Sequence, residues 1–234
     1  MSTALFIMSA ARELTLKEGK TQPTGFWAEE FVVPYDLFDA AGFDITVASP
    51  EGKTPVVDEA SLGLAGGLPP KTNGFRKRLD TLRDVLENTI SLKDAAATHE
   101  EYDVVFYPGG HAPMEDLVTD EDSATILSER LVNNQILGLV CHAPAAILAT
   151  VDSDGHTPFA GKNITALSNV EEMLNPNVRN TKWLLEDRLV EAGLKFHKAT
   201  LPYRPYTKVD GALFTGQNPQ SSAQLAEKMI DAVR

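Results

Sequence analysis

One cysteine, Cys141, serves all 234 residues, so no intrachain disulfide can form and nothing in the chain calls for an oxidising compartment. Long apolar runs are missing too. The longest weakly polar stretch, 137–149, is shorter than a bilayer span and is interrupted by His142 and Pro144, so no transmembrane helix is expected. The stretch from Met1 to Met8 has no basic residue and is too short in its apolar part for a secretory signal, which makes the cytoplasm the expected location. Positive charge is also in short supply. Twenty-one Lys and Arg stand against 33 Asp and Glu, a net charge of −12, and no basic stripe is interleaved with aromatics. Such a surface repels phosphate backbones, so nucleic acid is not an expected partner. There is no G-x-S-x-G, phosphate loop or dinucleotide fingerprint, and His99, His156 and His197 lack metal-ligand spacing. No metal and no cofactor are expected.

What the chain does have is apolar content of 43%, enough for one sizeable core, and strand and helix signals that alternate from end to end. Strands are predicted at 5–9, 44–48, 102–107, 136–140, 164–167 and 194–197, with a pair of short ones across 209–215 around Asp210-Gly211. Helices are predicted at 26–41, closed by Gly42, then at 73–88, 91–97, 112–118, 121–133, 181–192 and 220–233. Between 50 and 98 lies a Pro- and Gly-marked loop followed by polar helices, which reads as an insertion or cap on the sheet. The pattern predicts a single α/β domain over 1–234: a mostly parallel sheet with helices on both faces, because parallel connections need helical crossovers. Active sites in such sheets lie beyond the carboxyl ends of the strands. Both Gly109-Gly110-His111 and Cys141 fall there.

Cys141 follows the apolar run Leu137-Gly138-Leu139-Val140 and precedes His142-Ala143-Pro144 and a helix-forming stretch at 145–149. A free cysteine is often only a small buried hydrophobe. A strand-turn-helix context instead pushes the side chain out of the sheet, and an adjacent histidine supplies a proton carrier, which marks Cys141 as a nucleophile. The positive end of the following helix is expected to favour the thiolate. The backbone N–H groups of Gly110 and His142 are candidate donors to an oxyanion, with glycine allowing close approach. Glu30, in the apolar helix start Phe26-Trp27-Ala28-Glu29-Glu30, can help a neighbouring thiol only if it is protonated and donates to the sulfur, since a carboxylate there would raise the thiol's pKa. Such a pair would titrate as a unit. Either Glu29 or Glu30 can equally be an exposed first-turn acid. Glu171 and Glu172, just past the strand at 164–167, are both placed to orient the His142 ring.

These stretches together resemble the ThiJ/PfpI superfamily, with its flavodoxin-like, class I glutamine amidotransferase-like fold, and within it the stress-chaperone branch with glyoxalase III activity. The resemblance is carried by Thr24-Gly25 through Glu30 with Pro34, Tyr107-Pro108-Gly109-Gly110-His111, Val140-Cys141-His142-Ala143-Pro144-Ala145, Gly161-Lys162-Asn163-Ile164-Thr165 with Glu172, and Thr215-Gly216-Gln217-Asn218-Pro219 after Asp210-Gly211. It implies a Cys-His-Glu triad of Cys141, His142 and Glu172, with Glu30 as the proton-sharing acid. Gly109, Gly110 and His111 would then contribute to oxyanion or substrate binding. It also implies a glutathione-independent, metal-free conversion of methylglyoxal to D-lactate, a homodimer, and a cap over 50–98. A small neutral dicarbonyl suits an acidic protein. Related members are described as deglycases, chaperones and peptidases, so the fold alone does not fix the activity. Ala143 departs from the glycine usual in this branch, and its Cβ is expected to narrow the elbow.

Two other readings compete. One is a glutaminase or cysteine peptidase on the same fold, although the late histidine reads His197-Lys198-Ala199 where amidotransferases carry His-x-Glu. The other is a chaperone or thiol sensor in which Cys141 is oxidised rather than turned over.

Overall fold

The computed structural model describes residues 2–175 and 180–234. Seven strands form one sheet: β1 (Thr3–Ile7), β2 (Asp44–Ser49), β3 (Ile90–Ser91), β4 (Val104–Tyr107), β5 (Ile136–Val140), β6 (Thr207–Asp210) and β7 (Leu213–Gly216). Their spatial order is β6-β7-β5-β4-β1-β2-β3. All neighbouring pairs are parallel except β6 with β7, a hairpin that closes one edge.

Alternate residues of the central strands feed two separate cores, as a two-residue strand period requires. Ala4 and Phe6 of β1 join Val104 and Phe106 of β4 on one face, under α1 (Ala28–Ala40) and the C-terminal helix Ser222–Val233. Leu5 and Ile7 join Val105, Tyr107, Leu137 and Leu139 on the other, under Leu92–Thr98, Glu121–Val132 and Leu185–Glu191. Phe6 meets Phe31, Phe38 and Phe106 ring to ring, with centroids 6.2, 5.6 and 5.0 Å away. The sheet is buried on both sides, which is why its strands read as unbroken apolar runs.

Several boundaries differ from the sequence pattern. The stretch 164–167 contributes only Asn163–Ile164, paired with Lys195–Phe196 in a separate two-stranded sheet. Its continuation bonds elsewhere: the Thr165 amide donates to Thr215 Oγ1 and the Leu167 amide to the Cys141 carbonyl. The helix expected over 181–192 begins only at Leu185, because Thr181 is held extended in a bridge to Leu16. Residues 143–150 after the elbow form a 3₁₀ helix rather than an α-helix. Within 50–98, Ile90–Ser91 adds a strand to the sheet edge that the sequence pattern did not reveal. Pro69–Thr81 packs on α1, where Arg78 Nε lies 2.7 Å from Asp36. No helix is long and apolar enough to cross a membrane among the described residues.

Candidate active site

Cys141 terminates β5 with a left-handed backbone, φ +60°, which a non-glycine residue adopts only under constraint, at about 1–3 kcal/mol. The constraint comes from both sides. Its amide donates to the Gly216 carbonyl of β7 at 2.9 Å, and its carbonyl accepts from Leu167 at 3.0 Å. Only 4% of Cys141 is exposed, at the floor of a cleft of about 250 Å³ bordered by Trp27, Gly110, His111, His142, Leu167 and Tyr203.

The three residues expected as a triad lie together at the elbow. His142 Nδ1 lies 3.4 Å from Sγ, and His142 Nε2 lies 2.5 Å from Glu172 Oε2. Burial alone would raise Glu172, but the hydrogen bonds and electrostatic pull of His142 and His111 outweigh it and hold the carboxyl well below the usual range. An ionised carboxylate only accepts, so Nε2 of His142 carries the proton and Nδ1 presents a lone pair to the thiol. Burial, together with the neighbouring His111, lowers His142 against the pull of Glu172, which keeps the imidazole neutral. His111 Nε2 lies 2.9 Å from the other oxygen of Glu172, its ring centroid 4.0 Å from that of His142. One carboxylate therefore orients two histidines.

Glu30, which also acts on Cys141, is wholly buried. Neither of its oxygens makes a hydrogen bond of good geometry, although the thiol and the amides of Gly109 and Gly110 are near enough to act on its charge. Burial drives its pKa well above the carboxylate range, the charge of Glu29 adds to this, and those contacts only partly oppose it. Burial therefore favours the uncharged acid at Glu30. Gly109 makes room for it: a Cβ there would stand 2.5 Å from Glu30 Oε2 and 2.5 Å from the Val140 carbonyl. Gly110, at φ +102°, would drive a Cβ into the backbone of 25–27.

The expectation of a resting thiolate needs correction. Burial pushes the Cys141 thiol well above its ordinary value; the adjacent Glu30 adds to this only when ionised, and the charge of Glu171 and Glu172 pushes the same way. A 3₁₀ turn is also a weaker stand-in for the α-helical end that was to favour the anion. The sulfur rests as a thiol with a base at hand.

Of the other candidates, Gly110 and His111 line the cleft, whereas Gly109 lies behind it against Glu30. The amides of Gly109 and Gly110 act on the Glu30 carboxyl. Ala143 is wholly buried in the core on the far face of the sheet and does not border the cleft, so its Cβ does not narrow it. Glu171, the alternative partner for His142, is fully buried and engaged elsewhere. Its oxygens accept from Ser168, Tyr203, Gln217 and Asn218. Sequence reasoning gave no role to Tyr203 or Trp27, and it missed the His111–Glu172 pair. The only signals available were His111 directly after Gly-Gly and the Gln217-Asn218 step after β7.

His111, His142 and Glu172 also offer three ligand atoms within 4.8 Å of one another, a set able to hold a metal ion. A cation there would have to displace both N–H donors of Glu172. His99 pairs with Glu129, His197 pairs with Asn163, and His156 is solvent-exposed, all away from the cleft.

With this geometry in view, a family model described as the DJ-1/PfpI family matches residues 23–232. The chain belongs to the DJ-1/PfpI family. It is 28% identical over 245 residues to the glutathione-independent glyoxalase hsp3102 of Schizosaccharomyces pombe, covering 98% of this chain and 97% of that one. It is 28% identical to the protein/nucleic acid deglycase HchA of Staphylococcus aureus, with 98% and 80% covered. Glyoxalase III from Candida albicans has the same fold, with a TM-score of 0.78 at 23% identity over 99% of this chain and 97% of that one. The mostly parallel sheet expected from the sequence is the architecture of this family.

Proposed function

We propose that the protein is a glutathione-independent glyoxalase that converts methylglyoxal and water to D-lactate, with Cys141 as nucleophile, His142 as base and Glu172 orienting the ring. The observation that carries this reading is the Sγ–Nδ1–Nε2–Glu172 relay, seated beneath a cleft with an uncharged acid beside the sulfur. The full-length similarity to a glutathione-independent glyoxalase supports it.

The chemistry balances without a cofactor. The sulfur adds to the aldehyde carbon as its proton passes to His142 Nδ1, and the carbonyl oxygen takes up a proton to give a hemithioacetal. His142 is neutral and so free to accept. The protonated Glu30 donates toward the sulfur while charge develops, and the backbone N–H of His142 is left for the oxyanion, the Gly110 amide being turned to Glu30. Once the imidazolium has passed its proton on, the base removes the carbon-bound hydrogen to give an enediol. Protonation at the adjacent carbon leaves a lactoyl thioester. Water cleaves it, releasing lactate and restoring the thiol.

The segment over 50–98 serves as a cap in this reading, since Ala65 and Gly66 border the cleft. A lone catalytic thiol works best in a reducing compartment, so we place the protein in the cytoplasm; the family resemblance suggests a homodimer, which light scattering checks. Deglycase activity is the second reading, supported by the similarity to HchA; it would use the same addition on a carbonyl-derived adduct.

Purified protein given methylglyoxal without glutathione should form lactate, read with a D-lactate-specific enzyme, and Cys141→Ala should reduce turnover to the uncatalysed rate. Equal turnover by both proteins would refute the reading, whereas release of peptide fragments or of ammonia from glutamine would favour a peptidase or amidase.

A further inference from the structure

The non-glycine residues with left-handed backbone among the described residues fall into two groups. Glu18, Glu51 and Asn134 sit in exposed turns; Cys141 and Tyr203 border one cleft. Strain of this kind persists only where surrounding bonds over-determine it. For Tyr203 those bonds come from one residue. Its amide donates to Glu171 Oε1 at 2.8 Å, and its hydroxyl donates to the Glu171 backbone carbonyl at 2.9 Å. The residue is thus tethered at its backbone and at its hydroxyl, on the lining of the cleft that Cys141 also borders.

Glu171 in turn is fixed by donors alone. Oε2 accepts from the Ser168 amide at 3.0 Å, the Ser168 hydroxyl at 2.7 Å and Gln217 Nε2 at 2.8 Å. Oε1 takes Asn218 Nδ2 at 2.8 Å beside the Tyr203 amide. The carboxylate therefore ties together the start of the helix Asn169–Leu174, the segment after β7 and the loop that carries Tyr203. That loop has no strand ladder of its own across 198–206. Side chains hold it instead: Gln217 Oε1 accepts from the Ala199 amide, Asn218 Nδ2 donates to the Arg204 carbonyl, and Ser221 Oγ accepts from the Tyr206 amide.

We propose that Tyr203 is the specificity-determining wall of the Cys141 cleft, restricting it to small electrophilic carbonyl compounds, and that Glu171 is the residue that positions it. The inference rests on Cys141 being the reactive group proposed above, and it deepens that reading by assigning the size limit. An acceptor-only carboxylate is required at 171. A glutamine would turn an NH₂ toward one of the donors it now receives, and the loop would lose a tether. Tyr203 is also 42% exposed, so its ring guards the cleft and is not core packing.

The test measures Cys141 alkylation by two reagents of different size, iodoacetamide and a fluorescein-bearing maleimide. The small reagent forms an S–C bond with loss of iodide, the bulky one adds across the maleimide double bond, and neither needs turnover. In Tyr203→Gly, which accepts a left-handed backbone without strain, the bulky reagent should react about tenfold faster relative to the small one than in wild type. Glu171→Gln should shift the ratio in the same direction by a smaller factor, and Tyr203→Phe, which keeps the ring, less still. For turnover, Tyr203→Gly should raise KM for methylglyoxal with little change in kcat and improve phenylglyoxal relative to methylglyoxal. If Glu171→Gln does not fold, as judged by circular dichroism, Tyr203→Gly decides alone. An unchanged size ratio in Tyr203→Gly overturns the proposal. A changed ratio without lactate formation sustains it while the glyoxalase reading fails.

Discussion

The two sets of buried acids around Cys141 solve the same problem in opposite ways. In one, Glu171 and Glu172 are buried with both oxygens of each accepting hydrogen bonds, and Glu172 is held ionised by two imidazoles. In the other, Glu30 is buried just as deeply with neither oxygen well bonded, and burial favours its uncharged form. Depth is the same; partners differ. The difference teaches that hydrogen-bond supply decides the charge of a buried acid here. One sulfur thus has near it an imidazole backed by a hydrogen-bonded carboxylate and an acid whose uncharged form burial favours.

The comparison breaks most severely at Glu172. Glu172→Gln replaces an acceptor of two imidazole N–H groups with a side chain that can accept at only one position, so one histidine must change tautomer or lose its partner. We expect kcat for lactate formation to fall by roughly 10²–10⁴, the range for a displaced general base or its orienting acid. Glu172 also sets an acid limb of stability. Its folded pKa is depressed, so its contribution is complete above the unfolded value of 4.5 and is lost as pH falls through the folded value. Urea melts of wild type and Glu172→Gln between pH 3 and 7 should therefore converge toward the acid end.

Glu30→Gln tests the other set and should move stability in the opposite direction. Because its folded pKa is raised, Glu30 favours the fold below pH 4.5, and that advantage disappears as pH rises through the folded value. At pH 7 to 8 Glu30→Gln should be more stable than wild type by about 1–3 kcal/mol, the scale for a buried group without full satisfaction, while turnover drops. A loss of stability at pH 8 that vanishes at pH 4.5 would mean that Glu30 is ionised in the fold.

The smallest effect belongs to Ala143. Its Cβ packs in the far core, so Ala143→Gly should cost about 0.5–1 kcal/mol in a urea melt and leave KM unchanged. A clear change in KM would bring residue 143 back into the cleft.

Much of this was readable in the chain because local physics carried it. The apolar runs of β4 and β5, the helix start holding Glu30 and the strand-to-turn step at Cys141 each depend on adjacent residues. What could not be read was long-range pairing. The segment 164–167 reads as a full strand, but the antiparallel β6 occupies the edge beside β7, and the Thr165 and Leu167 amides bond to a side chain and to the elbow. His111 looks like part of a glycine turn until Glu172, 61 residues away, comes within 2.9 Å. The charge state of the sulfur depends on the same long-range packing: the turn hints at an anion, whereas burial and the nearby Glu171 and Glu172 favour the thiol. The family resemblance supplied Glu172 as the triad acid, and geometry shows why it and not Glu171 meets the ring.

The most direct measurement is the infrared difference spectrum between wild type and Glu30→Gln at neutral pH. The account predicts that the substitution removes a protonated carboxyl C=O band and leaves the carboxylate bands unchanged. Loss of a carboxylate band instead would show an ionised Glu30 against the sulfur and contradict it.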